Sequence, residues 1–332
     1  MRARSEKARR IYLLCFGLVI ALALSEGVLT VYNSRHAVGT VASGDAPDGK
    51  DVQRDDALGY APVPGVRATS RLTLHDSLIY DVAYTVTTAG IRATKGNSQG
   101  ESWLFMGDSF VFGEGVNDEE TLPSQFSAAL DHRANVVNLG FRGYGPHQML
   151  RILETDRARS LVHAPVRQVI YEAISDHPRR AAGHVNWDRF GPSYALTSTG
   201  VRYDDAFHGR LSGTLLGVAM RSAVLNAVLD RTVFRATMSD EDIERYGRIV
   251  ERSALLAREK FGAGFTTVYW DDDSDAGRRV LARLRATKLP LVLVSDIIPG
   301  SQWMYLVLPY DGHPTGEANR RLAAGLVERL AR

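Results

Sequence analysis

Short runs of consecutive apolar residues alternate along most of this chain with longer stretches in which apolar residues return every third or fourth position. The runs are "WLFM" (103–106), "NVVNL" (135–139), "VRQVIYEAI" (166–174), "FTTVYW" (265–270) and "LPLVLVS" (289–295). Runs of this length, apolar on both parities, predict strands covered on both faces. The stretches between them, "LPSQFSAALDHR", "HQMLRILETDRARSLV", "DIERYGRIVERSALLAREKFG" and "DAGRRVLARLRAT", have helical spacing. Strand and helix in alternation imply an α/β domain with a central parallel sheet and helices on both faces, a three-layer α/β/α arrangement.

Three regions depart from that rhythm. Residues 57–98 carry turn residues (Gly59, Pro62, Pro64, Gly65) and then the β-branched stretches "RLTLH" and "YDVAYTVTT", which predict a small β element. Residues 179–237 hold a predicted hairpin, "SYALTSTGVRY", and one helix, "GTLLGVAMRSAVLNAVLD", that is apolar around most of its circumference. Such a helix reads as buried core, with a lid or an acyl-chain contact as the sharper alternative. Residues 33–56 are polar, small and Gly-rich, the composition of a flexible linker.

Ahead of the linker, residues 1–32 place Arg2, Arg4, Lys7, Arg9 and Arg10 before an apolar run that continues to Tyr32. The cations favour the cytoplasmic side and the run is long enough to span a bilayer, so the segment reads as a signal anchor in the cytoplasmic membrane. On that reading the remainder lies in the periplasm or outside the cell. The alternative is secretion after cleavage near Ala23, where Ala21-Leu22-Ala23 offers small residues.

Composition changes this picture little. Of 332 residues 45% are hydrophobic and 23% charged, ordinary for a globular chain. The first ten residues carry +4 of a net +2, which leaves −2 for the rest; no basic surface points to nucleic acid. The only cysteine, Cys15, lies in the apolar run, so no disulfide forms within one chain and cysteine zinc sites are excluded.

Candidate chemistry gathers at the carboxyl ends of the predicted strands, where loops converge in an open parallel sheet. Ser109 follows the first strand, Gly140 to Gly143 the second and Asp176 the third. Asp311 and His313 stand two apart in "PYDGHP", ahead of an amphipathic C-terminal helix. That spacing lets the carboxylate hold the Nδ1 proton while Nε2 faces outward, as a general base for a serine hydroxyl requires. The backbone N–H groups of Ser109 and Gly143 are candidate oxyanion donors.

These residues resemble the SGNH/GDSL hydrolase family over residues 103–332. "GDSFVFGEG" resembles its first block, "NLGFRGYG" its second and "DGHP" its fifth; the anchor, "LGYAPVPGV" and Gly90-Ile91-Arg92 resemble a membrane-tethered bacterial branch of it. The resemblance implies a flavodoxin-like sheet over residues 57–332 and a Ser109-His313-Asp311 triad with Gly143 at the oxyanion. It implies an acylated small molecule, glycan or lipid as substrate, and no cofactor or metal. Where the family places Gly-x-Asn-Asp, this chain has "AISDHPRR". Asp176 then takes the slot of the donor Asn, and an ionised carboxylate there repels an oxyanion. Either Asp176 is protonated, or Ser175 or His177 donates, or only backbone donors remain. An ester hydrolase is the leading reading. An O-acyltransferase shares its triad, and a membrane-tethered carbohydrate-binding or assembly protein would keep the fold with little turnover.

Overall fold

The computed structural model describes residues 2–36, 39–44, 50–74, 77–234 and 237–331. The chain opens with helix α1 (Arg2–His36), followed by β1 (Gly39–Gly44), β2 (Val52–Asp55), β3 (Gly59–Pro62), β4 (Arg67–Leu74) and β5 (Ser77–Thr85). Strand β1 pairs with β4 and β4 with β5, all antiparallel, while β2 and β3 form a separate antiparallel pair. The linker expected over residues 33–56 therefore contains the two strands β1 and β2, and its residues 37–38 and 45–49 lie outside the described residues. Polar, small-residue composition failed as a guide there because both strands are held by backbone pairing to partners further along the chain.

The central sheet begins with β6 (Ser102–Met106), which runs into the one-turn helix α2 (Ser109–Phe112), then α3 (Leu122–Ala129), β7 (Asn135–Asn138), α4 (Pro146–Glu154) and β8 (Val166–Ala173). After β8 come α5 (His177–Ala181), the hairpin β9 (Pro192–Thr197) and β10 (Gly200–Ala206), and helices α6 (Arg210–Ala219) and α7 (Ala223–Thr232). The chain finishes with α8 (Asp240–Phe261), β11 (Gly264–Tyr269), α9 (Asp275–Ala286), β12 (Leu291–Leu293), α10 (Gly300–Trp303) and α11 (Gly316–Leu330). The five strands of the sheet lie in the order β12-β11-β8-β6-β7, and all are parallel. Because β7 lies on one side of β6 and β8 on the other, the chain reverses its winding there; a crevice opens beyond the carboxyl ends of β6 and β8.

Alternation along the strands sends side chains to both faces. Trp103 and Phe105 pack with Leu122 and Phe126 of α3 and with Leu322 and Leu326 of α11. Leu104 and Met106 point the other way, into a core shared with Leu150 and Leu153 of α4 and Tyr246, Ile249 and Val250 of α8. Each such side chain contributes about 1.5–3 kcal/mol on burial. The α11 contacts matter for the site, since the loop carrying Asp311 and His313 is anchored by that helix.

Two expectations are corrected in the 179–237 segment. The single apolar helix is two, α6 and α7, because the Ser222 hydroxyl accepts from Leu225 N–H and caps a new helix start. Nor is it buried core: Leu211, Leu215, Val218, Leu225 and Val228 are all exposed. Helix α1 contains the stretch Arg9–Asn33, long and apolar enough to cross a membrane.

Candidate active site

Strand β6 ends at Met106, and Gly107-Asp108 turn the chain so that Ser109 opens α2. The turn is held from beneath by the Asp108 carboxylate. Its Oδ1 accepts from Phe110 N–H at 2.9 Å; its Oδ2 accepts from Arg180 Nη1 at 2.9 Å and from His177 Nε2 at 3.3 Å. Burial alone would raise the Asp108 pKa, but Arg180 and His177 outweigh it and hold the carboxyl ionised, well below the usual carboxylate range. Arg180 Nη1 also donates to the Tyr144 carbonyl at 2.8 Å, tying the Ser109 turn to the loop that carries Gly143.

From the opposite side Arg92, itself buried, donates to the carbonyls of Phe112, Gly113 and Val116 and pairs with Asp118 at 2.7 Å. The small β element is thereby fastened to the segment that follows Ser109. Sequence reasoning gave Arg92 no role beyond its place in the family resemblance, because its partners are mostly backbone carbonyls that no side-chain pattern announces.

His313 reaches Ser109 across 204 residues of sequence: its Nε2 lies 2.7 Å from Ser109 Oγ. Its Nδ1 is bonded to Asp311 Oδ1, which also accepts from His313 N–H at 3.3 Å. The tight turn depends on Gly312, whose φ of +84° lies in the left-handed region that glycine occupies without a Cβ penalty. The Phe110 ring packs edge-on against the imidazole, with centroids 5.2 Å apart. Burial pushes the His313 pKa down, yet the hydrogen bond and charge of Asp311, helped by Glu114 and Asp108, raise it above the ordinary value.

Gly143 stands in the loop after β7 with a φ of +75°. A Cβ at this position would fall 2.6 Å from Trp187 Nε1 and 2.7 Å from the Tyr60 hydroxyl, so only glycine fits. Trp187 Nε1 donates to the Gly143 carbonyl at 3.1 Å and Tyr60 to that of Arg142 at 2.8 Å. Among the described residues no backbone carbonyl accepts from the N–H of Gly143 or from that of Ser109. The loop borders a depression of about 470 Å³ lined by Tyr60, Phe141, Arg142 and Trp187. A second cavity, of about 290 Å³, opens beside Phe110 and Gly312 and is lined by Trp270, Asp272 and Trp303.

The three residues expected near the oxyanion have other partners. Asp176 is bonded to Arg179 Nε at 2.6 Å and to Arg180 Nε at 2.9 Å; although burial opposes ionisation, the two arginines lower its pKa, so it is not a protonated donor. His177 is fully buried, and burial lowers its pKa. A neutral ring there accepts from the Tyr171 hydroxyl on Nδ1, at 2.7 Å, and donates from Nε2 to Asp108. Ser175 lines the second cavity, and its hydroxyl hydrogen-bonds Asp272.

His147 lies in the first turn of α4 and is wholly buried, with Nε2 2.7 Å from Asp188 Oδ2. Its partner is 41 positions away, beyond the reach of any local signal. Two buried carboxyls were also missed. Glu172 accepts from the Trp270 indole N–H, and burial drives its pKa far up, with Asp108 adding to the shift. Burial likewise raises that of Glu114, against the pull of Arg142.

Removing Arg180 tests the platform under Ser109. Arg180→Met is expected to destabilise the fold by about 3 kcal/mol, because it leaves the Asp108 charge buried with a single, neutral side-chain partner. A urea titration reads this directly, and an unchanged midpoint would mean that Asp108 is not held by this pair.

No protein family's sequence pattern matches the chain, and no curated protein matches it in sequence. Among solved structures it is similar to a protein from Desulfitobacterium hafniense described as lipolytic and of the G-D-S-L family, at 10% identity and a TM-score of 0.40 over 69% of this chain and 98% of that one. It is also similar to a carbohydrate acetylesterase family member from Sinorhizobium meliloti, at 15% identity and a TM-score of 0.34 over 70% of this chain and 100% of that one. A third similar structure is the psychrotrophic esterase EstA from Pseudoalteromonas sp., at 12% identity and a TM-score of 0.38 over 70% of this chain and 96% of the other.

Proposed function

We propose that this chain is a membrane-anchored serine esterase of the SGNH/GDSL type, acting on an acyl ester outside the cytoplasmic membrane. One observation carries the reading: an imidazole bonded through Nδ1 to a carboxylate presents Nε2 at 2.7 Å from a serine hydroxyl at the carboxyl end of the first sheet strand.

On this reading Ser109 Oγ attacks the acyl carbon while His313 Nε2 takes its proton. The carbonyl oxygen becomes an oxyanion, held by the N–H groups of Ser109 and Gly143. When the tetrahedral intermediate collapses, the ester bond to the alcohol breaks and His313 returns the proton to the departing alkoxide. Water then attacks the acyl-Ser109 ester, again losing its proton to His313, and the carboxylic acid leaves as Ser109 regains its hydrogen. Asp311 fixes the tautomer and stabilises the imidazolium formed in each half. With Asp176 ionised and His177 committed to Asp108, the oxyanion relies on backbone donors, which favours an ester such as an acetyl on a glycan or lipid hydroxyl over the less reactive amide.

A fluorophosphonate probe tests the assignment. Serine-dependent labelling of the wild type that disappears in Ser109→Ala supports it, and equal labelling of both proteins refutes it. The pH profile adds an independent check. His313 must be neutral to act as base, and its pKa is raised, so kcat/KM is expected to fall on the acid side with a single-proton limb above the usual imidazole value of about 6.5. A limb below that value would contradict the influence of Asp311 on the ring. The linkage to stability runs in the opposite sense: the raised pKa stabilises the fold below the unfolded value, and that contribution is lost as pH rises through the folded one.

A further inference from the structure

We infer that the α6–α7 hairpin is a second membrane contact, lying in the outer boundary of the same bilayer that α1 crosses. The inference rests on the reading of α1 as a membrane anchor.

The first observation is how α1 meets the rest of the molecule. Between Arg9 and Asn33 every residue of α1 is exposed except Glu26 and Leu29. The Glu26 carboxylate accepts from the Ser222 hydroxyl at 2.7 Å and from the N–H groups of Ala223 and Val224 at 2.6 and 3.1 Å. Thus the acid that breaks the apolar run supplies the acceptors for the first turn of α7. A carboxylate inside a hydrocarbon layer is costly without partners, and here three donors converge on it.

Depth follows from helix geometry. With Arg9 and Arg10 at the inner boundary, about 20 residues cross a hydrocarbon layer of about 30 Å, which places the outer boundary near Thr30. Glu26 then lies about 6 Å below that boundary, at 1.5 Å per residue. The turn between α6 and α7 must share this depth, since it is bonded to Glu26.

The second observation is which face the hairpin turns outward. Gly213 and Gly217, one turn apart on α6, sit against Phe190 and Arg189 of the main domain; a Cβ on Gly213 would meet the Phe190 ring at 2.4 Å. On α7, Asp230 accepts from Asn226 at 3.1 Å and from Asn186 at 3.5 Å. Gly213, Gly217 and Asp230 thus sit at the protein side of the hairpin, where Leu216, Met220, Val224 and Leu229 are half-buried. A second set of apolar residues faces outward: Leu211, Leu215 and Val218 form one stripe on α6, with Leu225 and Val228 on α7, at exposures of 48% to 75%. A helix packed on a water-soluble domain turns a polar face outward; this outer face carries an apolar stripe instead. Exposed Arg210, Arg221 and Arg231 sit at the ends and turn of the hairpin; from the depth of the turn the long Arg221 side chain extends up to anionic headgroups, which keeps the hairpin from sinking further. Continuity with the bare apolar surface of α1 identifies lipid as the occupant.

The test uses the full chain with Cys15→Ser, single cysteines in place of Leu18, Leu215, Leu225 or Lys288, and an environment-sensitive fluorophore on each. The proteins are reconstituted in phosphatidylethanolamine–phosphatidylglycerol vesicles carrying nitroxide-labelled acyl chains. Labels at positions 18, 215 and 225 are expected to lose fluorescence, and the label at 288, in the turn before β12, to keep it. Quenching at 18 with none at 215 and 225 overturns the hairpin contact and leaves the anchor standing. No quenching at 18 overturns the anchor and the hairpin contact with it. Adding Glu26→Ala, with ester hydrolysis as the check on folding, is expected to remove quenching at 225 and leave it at 18; persistence at 225 overturns the role given to Glu26.

Discussion

Replacing Ser109 with alanine is expected to lower kcat for hydrolysis of a p-nitrophenyl acetate substrate by about 10⁶-fold, to the level of the oxyanion donors and binding alone. The expectation follows from what the substitution removes and what it leaves. Only Oγ is lost, so β6, the Asp108 platform and the Arg92 clamp on Phe112, Gly113 and Val116 remain in place. His313 Nε2 then faces no hydroxyl to deprotonate, while its bond to Asp311 persists. Steady-state rates together with the thermal midpoint distinguish loss of chemistry from loss of fold. A variant that keeps even a hundredth of the wild-type rate places the nucleophile elsewhere.

How much of this was legible in the sequence depends on how local each signal is. The strands of the central sheet showed as apolar runs because both their faces are covered, which makes the pattern independent of what covers them. The partners across the sheet were not legible: that β6 lies between β7 and β8 is set by pairings made over long separations. Asp311 and His313 could be paired from spacing alone, since two residues in a turn already bring carboxylate and ring together. The contacts of Asp108 with His177 and Arg180 span about seventy positions and left no comparable trace. In the apolar stretch around α6 and α7 the signal was present but outweighed: Arg221-Ser222 marks a helix start, and the exposed leucines show that apolar composition does not itself imply burial. The reading of residues 33–56 as a linker overlooked that backbone pairing asks little of side chains.

Asp311→Asn is expected to lower kcat by about 10⁴-fold while leaving the fold intact, because the carboxamide matches the shape of the carboxylate but not its hydrogen-bonding role. The turn through Gly312 holds the side chain against Nδ1. An amide N–H aimed at Nδ1 forces the ring proton onto Nε2, which then presents a proton to Ser109 where a lone pair is needed. The same substitution removes the charge that contributes most to raising the His313 pKa against burial, so the acid limb of the pH profile is expected to move to lower pH. Glu114 and Asp108 also raise that pKa, and they remain, so the displacement is partial. One pH series on the variant therefore reads two separate consequences of a single carboxylate: the height of the plateau reports the tautomer, and the position of the limb reports the charge. A lowered plateau with an unmoved limb would mean that Asp311 orients the imidazole without stabilising its cation, and the carboxylate's electrostatic part in the mechanism would then fall to the other two acids.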